Sequence, residues 1–476
     1  VNLYLLSPEI SVGILALLVI LLDLFIRRKG VLAVVSVLGL LVTAGLALSL
    51  WGTRETSFNG TLVVDEFSLF FKLLFVAIAA LVILASQDYV SRFRRFQGEY
   101  YALVLIAALG MMLMAGSGEL MSIYIALEVN ALSLAALAAF LRDARSAEAS
   151  LKFLILSALS SAIMLYGMAL VFGLTGTTQL KEIAAAIPKD GSLANPALLL
   201  GIIFMIAGFG FKISTVPFQM WVPDVYEGSP TPVAAYLSVA SKAAGFAVIL
   251  RVFYVALGDI SLDWSQIFAV LAAFSMTLGN VVAIAQNNIK RMLGYSTIAH
   301  AGYMMVGLAA TGPQGAALGP GGILFYLAAY AFTNLGAFFA IIAISNRIGS
   351  DQINDFAGMS RRAPVLALAL AFCLVSLIGL PPTAGFWAKV YIFNAGVQSG
   401  LVWLVIVGVV NSVISAYFYL RPIRVMYLST APSEERVPSS GAMRLALLLS
   451  TGGVVLFGIL PGYLLQAAQT AVRSFP

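Results

Sequence analysis

Five ionisable residues sit deep inside long apolar runs of this chain. Glu128 lies in IYIALEVNALSLAAL, Lys212 in GFGFKISTVPFQMW, Lys242 in LSVASKAAGFAVI, His300 in STIAHAGYMM and Lys389 in LPPTAGFWAKVYIF. A charge at mid-bilayer costs about 2.5–3.5 kcal/mol on insertion scales, so each needs a reason to be there. A carboxylate, three amines and an imidazole share one chemistry: each takes up and releases a proton. Burial makes a lysine release its proton more easily, and a neighbouring carboxylate makes it hold on. A lysine balanced between the two exchanges a proton near neutral pH. A static ion pair is the plainer reading, but one carboxylate accounts for only one lysine. A row of protonatable groups along the mid-plane accounts for all of them. His300 reads either as a satisfied core histidine or as a relay, since neutral imidazole passes protons readily. Lys152, at the start of a later span, either snorkels to the interface or joins the relay.

The composition sets the medium. Of 476 residues, 61% are hydrophobic and 10% charged, against about 25% charged in soluble domains. Apolar runs recur from end to end, each near the roughly 20 residues that a membrane helix needs. They lack barrel-type alternation, so the expected class is an all-α polytopic membrane protein. The first run follows Glu9 without a basic flank and reads as a span, not a cleaved signal. The net charge of +6 reflects basic loops on one side of the membrane, and nucleic acid is not expected as a partner. One cysteine, Cys373, and one histidine, His300, exclude an internal disulfide, a bis-histidine haem, an iron–sulfur cluster and a Cys/His zinc site. No cofactor or metal is expected in this chain, so any electron chemistry belongs to other subunits.

About fourteen spans are expected, beginning near residues 8, 32, 66, 100, 118, 148, 200, 231, 264, 290, 321, 365, 402 and 442. Of the 27 lysines and arginines, seventeen fall in one set of alternate loops, among them Arg27 to Lys29, Arg92, Arg94, Arg95, Lys290, Arg291, Arg361 and Arg362. Four fall on the other side: Arg54, Lys181, Lys189 and Arg473. The basic set marks the cytoplasm, so both termini are expected on the outer side. Six lie within spans, and of these Lys72 and Arg251 read as snorkelling residues near outer helix ends.

Helices 4–8 and 9–13 form two groups of five. An odd number forces the second group to enter from the opposite face, so the two repeats would be inverted. The fourth helix of each group carries breakers: Pro217 and Pro223 in helix 7, Pro381 and Pro382 in helix 12. Matched interrupted spans point to a transport site. Pro217 has no N–H to offer, so the carbonyl of Ile213 loses its helical partner. The expected division is 1–99, a three-helix segment; 100–257, the first repeat; 258–430, the second; and 431–476, the last helix.

Three stretches, FKISTVPFQMWVPDVYEGSPTPVAAYLSVASKAAGF, NNIKRMLGYSTIAHAGY and GLPPTAGFWAKV, resemble the antiporter-like membrane subunits of respiratory complex I. These are related to subunits of multisubunit cation/proton antiporters. The resemblance runs from about residue 60 to 430. It is greatest to the N-type branch, which has a counterpart in the chloroplast and cyanobacterial complexes. Lys389 fits that branch, since M-type relatives have glutamate there, and the chain is too short for the lateral helix of the L type.

The resemblance implies a proton-translocating subunit of an NADH–quinone oxidoreductase. Glu128 and Lys212 would be the charged pair of a first half-channel, Lys242 the connecting lysine, Lys389 the exit-side lysine and His300 a relay. It also implies neighbouring antiporter-like and small membrane subunits, with quinone, FMN and iron–sulfur clusters bound elsewhere. The membrane would be a bacterial inner membrane, or one of thylakoid type. Many members have histidine where this chain has Gln219, which leaves that step to water. A subunit of a stand-alone sodium/proton antiporter or of a membrane-bound hydrogenase is the alternative.

Overall fold

The computed structural model describes residues 2–93, 96–187, 195–311, 315–431, 435–473 and 475. Arg94, Arg95 and Lys189 lie outside them. Twelve helices among the described residues are long and apolar enough to cross a membrane. The chain opens with α1 (Ser7–Phe25), α2 (Gly30–Ser49) and α3 (Glu66–Val90). Next come α4 (Gln97–Gly116), α5 (Leu120–Ala138), the long α6 (Ala144–Thr175) and the short α7 (Leu180–Ala186). An interrupted helix follows, α8 (Pro196–Ile213) and α9 (Trp221–Gly228). Then α10 (Thr231–Tyr236) and α11 (Lys242–Arg251) are joined by a π-helical turn, Leu237–Ser241. After α12 (Ser261–Ile284), α13 (Ile289–Ala309), α14 (Gly315–Ile348) and the single turn α15 (Met359–Arg362) comes a second interrupted helix. Its pieces are α16 (Pro364–Ile378) and α17 (Ala384–Gln398). The chain closes with α18 (Val402–Leu428), α19 (Gly441–Ile459) and α20 (Pro461–Val472).

Local signals explain where these helices begin and end. Asp65 caps α3 reciprocally with Ser68, Asn195 and Pro196 open α8, and Asn288 caps α13. Each supplies an acceptor, or removes a donor, where the first N–H groups have no helical partner. Pro223 is a breaker by type, yet it sits in the first turn of α9, where a missing N–H costs nothing. The interruption therefore belongs to residues 214–220. A short antiparallel hairpin, β1 (Glu55–Ser57) with β2 (Leu62–Val64), lies in the loop before α3.

The two ends of the bundle are chemically distinct. At one end, Arg92 donates to the Asn346 carbonyl, Arg347 pairs with Glu435, and Arg362 donates to the Glu435 carbonyl. At the same end Arg421 donates to the Gln286 carbonyl, and Arg145 and Arg291 share Glu227. The opposite end gathers Arg54 with Glu66, a bridge between Leu62 and Ser117, and another between Glu119 and Gln179. Tyr4 bonds Ser49 there, and Phe475 packs on Phe67, so both chain ends lie at this second end.

Three lysines and arginines depart from the sequence expectation. Lys72 does not snorkel: it is fully buried and pairs with the equally buried Glu9 of α1 at 2.7 Å. Arg251 is likewise buried, forked onto Asp65 at 2.6 and 2.9 Å. Lys290, which reads as a loop residue, is buried in the first turn of α13, donating to the Ser229 carbonyl at 3.1 Å. In each case the protein supplies a partner, so the side chain has no need to reach for water.

Candidate functional site

The interruption between α8 and α9 is where the buried groups begin to meet. Ser214, in a left-handed conformation, ends α8. The break leaves backbone groups without helical partners, and neighbouring elements take them. Ser275 of α12 accepts from the Val216 N–H at 3.0 Å and bonds the Thr215 hydroxyl at 2.8 Å. The Ile213 carbonyl, orphaned as the proline predicts, accepts a hydrogen bond from the Lys242 ammonium at 3.0 Å. Gly245, one turn further along α11, makes this approach possible: a Cβ there would lie 2.8 Å from Ile213 Cγ2.

Lys212 and Glu128 are joined through α6 and form no direct ion pair. The Lys212 ammonium donates to Ser157 at 3.1 Å, and Ser161 donates to the Glu128 carboxylate. The two serines stand four residues apart, so they share a helix face. Their hydroxyls can accept on one side and donate on the other. Close backbone contact of Gly167 with Gly201 holds α6 and α8 together along this seam.

From Lys242 the contacts continue into α13 and α14. Its ammonium also donates to the Thr297 carbonyl at 2.9 Å, and the Thr297 hydroxyl bonds Tyr330 at 2.8 Å. The His300 ring lies 4.9 Å from that of Tyr330. Its Nδ1 is hydrogen-bonded to the Tyr326 hydroxyl at 2.7 Å and its Nε2 to Tyr419 at 3.1 Å. Both nitrogens are thus engaged, and in a neutral ring one of them accepts. Tyr303, one turn on, lies under the Lys389 ammonium at 4.5 Å. Lys389 donates to the Ile378 carbonyl at 2.8 Å, the last residue of α16. Gly379, with φ +91°, ends α16 as Ser214 ends α8. In both interrupted helices, then, a lysine takes the final carbonyl before the break.

The structure therefore brings the half-buried Glu128 and the buried Lys212, Lys242, His300 and Lys389 into one series. Lys152 stands apart from it, exposed at the arginine-rich end and paired with Glu148 at 2.8 Å and Asp224 at 3.0 Å. Asp224 also binds Arg291 at 2.7 Å. Gln219 sits at the break and lines a cavity with Asp224, Arg291 and Tyr295. Its side-chain oxygen has no hydrogen-bond partner among the described residues. No cluster of metal-ligating side chains occurs among the described residues. Sequence reasoning missed the connecting hydroxyls: Ser157, Ser161, Thr297, Tyr303, Tyr326, Tyr330 and Tyr419. The four-residue spacing of Ser157 with Ser161, and of Tyr326 with Tyr330, was the available signal.

Residues 117–415 match the family described as NADH:quinone oxidoreductase/Mrp antiporter, TM. The chain belongs to this family of antiporter-like membrane proteins. Within it, the chain is 49% identical over 477 residues to the NADH-quinone oxidoreductase subunit N of Dehalococcoides mccartyi, covering 98% of each. It is 42% identical to the NAD(P)H-quinone oxidoreductase subunit 2 of a Synechocystis species, covering 98% of this chain and 92% of that one. A chain of the respiratory complex I of Thermus thermophilus with bound aureothin superposes with a TM-score of 0.83 at 33% identity, covering 96% of this chain and 98% of that one.

Proposed function

We propose that this chain is the proton-translocating, antiporter-like subunit N of an NADH–quinone oxidoreductase. It works as part of a translocase whose redox chemistry takes place in other subunits. The observation that carries this reading is the series from the half-buried Glu128 to the buried Lys389, in a chain whose near full-length relatives are subunits N. Protons would enter the series at Glu128 and Lys212, which bond Ser161 and Ser157, one turn apart on α6. Lys242, whose ammonium donates to the carbonyl of Ile213, the residue after Lys212, would receive the proton of Lys212. Thr297, Tyr330 and His300 would carry it towards Lys389. Lys152, with Asp224 and Arg291, would form the charged mouth on the cytoplasmic side, next to the cavity at Gln219.

The same reading makes fourteen spans, counting α13 and the α16–α17 pair with the twelve. Residues 100–257 and 258–430 would be inverted five-helix repeats, between a three-helix segment (1–99) and a final helix (431–476). Two features support the repeat: the left-handed residues Ser214 and Gly379 before the breaks, and a lysine on the last carbonyl of each first half. The membrane would be the bacterial inner membrane, or one of thylakoid type, with both termini outside. Partners would be the neighbouring antiporter-like and small membrane subunits, with FMN, iron–sulfur clusters and quinone held elsewhere in the complex.

Replacement of Lys242 by Met in the assembled complex, reconstituted into vesicles, tests the reading. Proton pumping coupled to quinone reduction should fall about 10²-fold, the scale of a lost proton-transfer group. Full pumping by an assembled Lys242→Met complex would overturn it. Co-purification with small antiporter subunits, without iron–sulfur and flavin subunits, would favour a stand-alone antiporter instead.

A further inference from the structure

A groove of about 780 Å³ opens at the arginine-rich end, between α16 and α19. Arg361, Arg362, Arg436 and Arg444 line its mouth, and among the described residues no acidic side chain lines it. Glu435, next to Arg436 in the chain, is already paired with Arg347, and its carbonyl accepts from Arg362 at 2.9 Å. Arg444 donates to Ser439 at 3.1 Å, and Arg361 and Arg436 have no acidic partner among the described residues. Four guanidinium groups around one opening repel one another unless an anion sits between them. Both helices also begin here, so two helix N-termini add partial positive charge at the same place.

Below the arginines the wall turns apolar. Val365 and Leu366 from α16 and Leu447 and Leu448 from α19 continue the groove. Val365 is 70% exposed and Leu448 68% exposed. The lining reaches Ala369 on one helix and Thr451 on the other, which is roughly 8–15 Å along the axes from their first residues at 1.5 Å per residue. We propose that this groove binds one anionic diacyl phospholipid, its phosphate forked by the arginines and one acyl chain laid along the apolar wall. Arginine forks match phosphate oxygens in pairs, and basic pockets between membrane helices suit acidic headgroups. A soluble phosphate would use the arginines and leave the apolar wall open.

The assembled complex, purified into nanodiscs of phosphatidylglycerol and phosphatidylcholine, tests this by native mass spectrometry of the lipid it retains. The wild type should keep one more phosphatidylglycerol than an Arg361→Gln/Arg436→Gln/Arg444→Gln variant, and one more than a Leu448→Trp variant. Millimolar inorganic phosphate should not displace that lipid. Equal retention by wild type and triple variant would overturn the proposal, as would displacement by phosphate. So would full retention by Leu448→Trp, which keeps every charge and fills only the acyl wall. If the triple variant does not assemble, Leu448→Trp decides alone.

Discussion

Ser157 accepts from the Lys212 ammonium and Ser161, one turn on, donates to the Glu128 carboxylate, so each charge has its own hydroxyl partner and no direct pair forms. A direct pair would hold the proton, whereas a hydroxyl leaves each charge with a partner that can both give and accept. Ser157→Ala should slow coupled proton pumping about 10- to 100-fold, from the roughly 1.5–3 kcal/mol that a hydrogen bond to a charged group contributes. Ser157→Thr, which keeps the hydroxyl, should restore most of it; pumping rates of the two assembled variants decide. At the other end of the series, Lys389→Met should lower pumping about 10²-fold while the complex still assembles. Lys389→Arg should impair it too, because guanidinium does not release its proton. Unchanged pumping in the assembled Met variant would remove Lys389 from the relay. These lysines were legible in the sequence because a charge in an apolar run has a cost that no background explains. The serines and tyrosines were not, since a membrane helix tolerates a hydroxyl wherever it can bond its own backbone. Lys72 was misread for a different reason: its partner Glu9 lies on another helix, and nothing local announces it. Glu9→Gln should therefore leave a buried unpaired ammonium and cost about 3–5 kcal/mol, visible as a lower melting temperature or a loss of assembled complex.

Two interrupted helices do at element scale what no continuous helix can: they present a free carbonyl at membrane depth. The prolines made the interruptions legible, and Ile213 was identifiable as the orphaned acceptor. That Lys242 takes this carbonyl was not legible, because it depends on how closely α11 passes α8. Pro223 shows the opposite error, a residue that breaks helices by type but not from a first turn. The second break depends on Gly379, whose φ of +91° is strained for any side chain and whose Cβ would meet Lys389 Cδ at 2.9 Å. Gly379→Ala should therefore push the ammonium off the Ile378 carbonyl and reduce pumping in the direction of Lys389→Met, with assembly retained. The seam between α6 and α8 makes a separate prediction. A Cβ on Gly201 would already lie 3.1 Å from the Gly167 carbonyl and 3.3 Å from Leu170 Cβ, so Gly201→Leu should overpack the seam and cost about 1–3 kcal/mol. It should also draw Ser157 away from Lys212, so thermal stability and pumping should fall together.

Across the whole molecule, the loop contacts fall at two ends, and our proposal that the arginine-rich end meets the cytoplasm rests on the basic-residue count. Seventeen lysines and arginines against four is a bias that no single loop creates. The structure groups these residues, because loops far apart in the chain close on one another at the arginine-rich end. Arg92 reaches Asn346, and Arg145 and Arg291 meet at Glu227. The opposite end carries the hairpin, the loop that joins α6 to α7, and both chain ends. Single cysteines at Arg28 and at Lys181 separate the two orientations, since both positions are exposed and the native Cys373 is buried. A membrane-impermeant maleimide added to sealed inside-out vesicles should label Arg28→Cys and spare Lys181→Cys. Intact cells with a permeabilised outer layer should give the reverse pattern. Labelling of Lys181→Cys from the cytoplasmic side alone would turn the molecule over. It would then place the mouth formed by Lys152, Asp224 and Arg291 on the side to which protons are delivered.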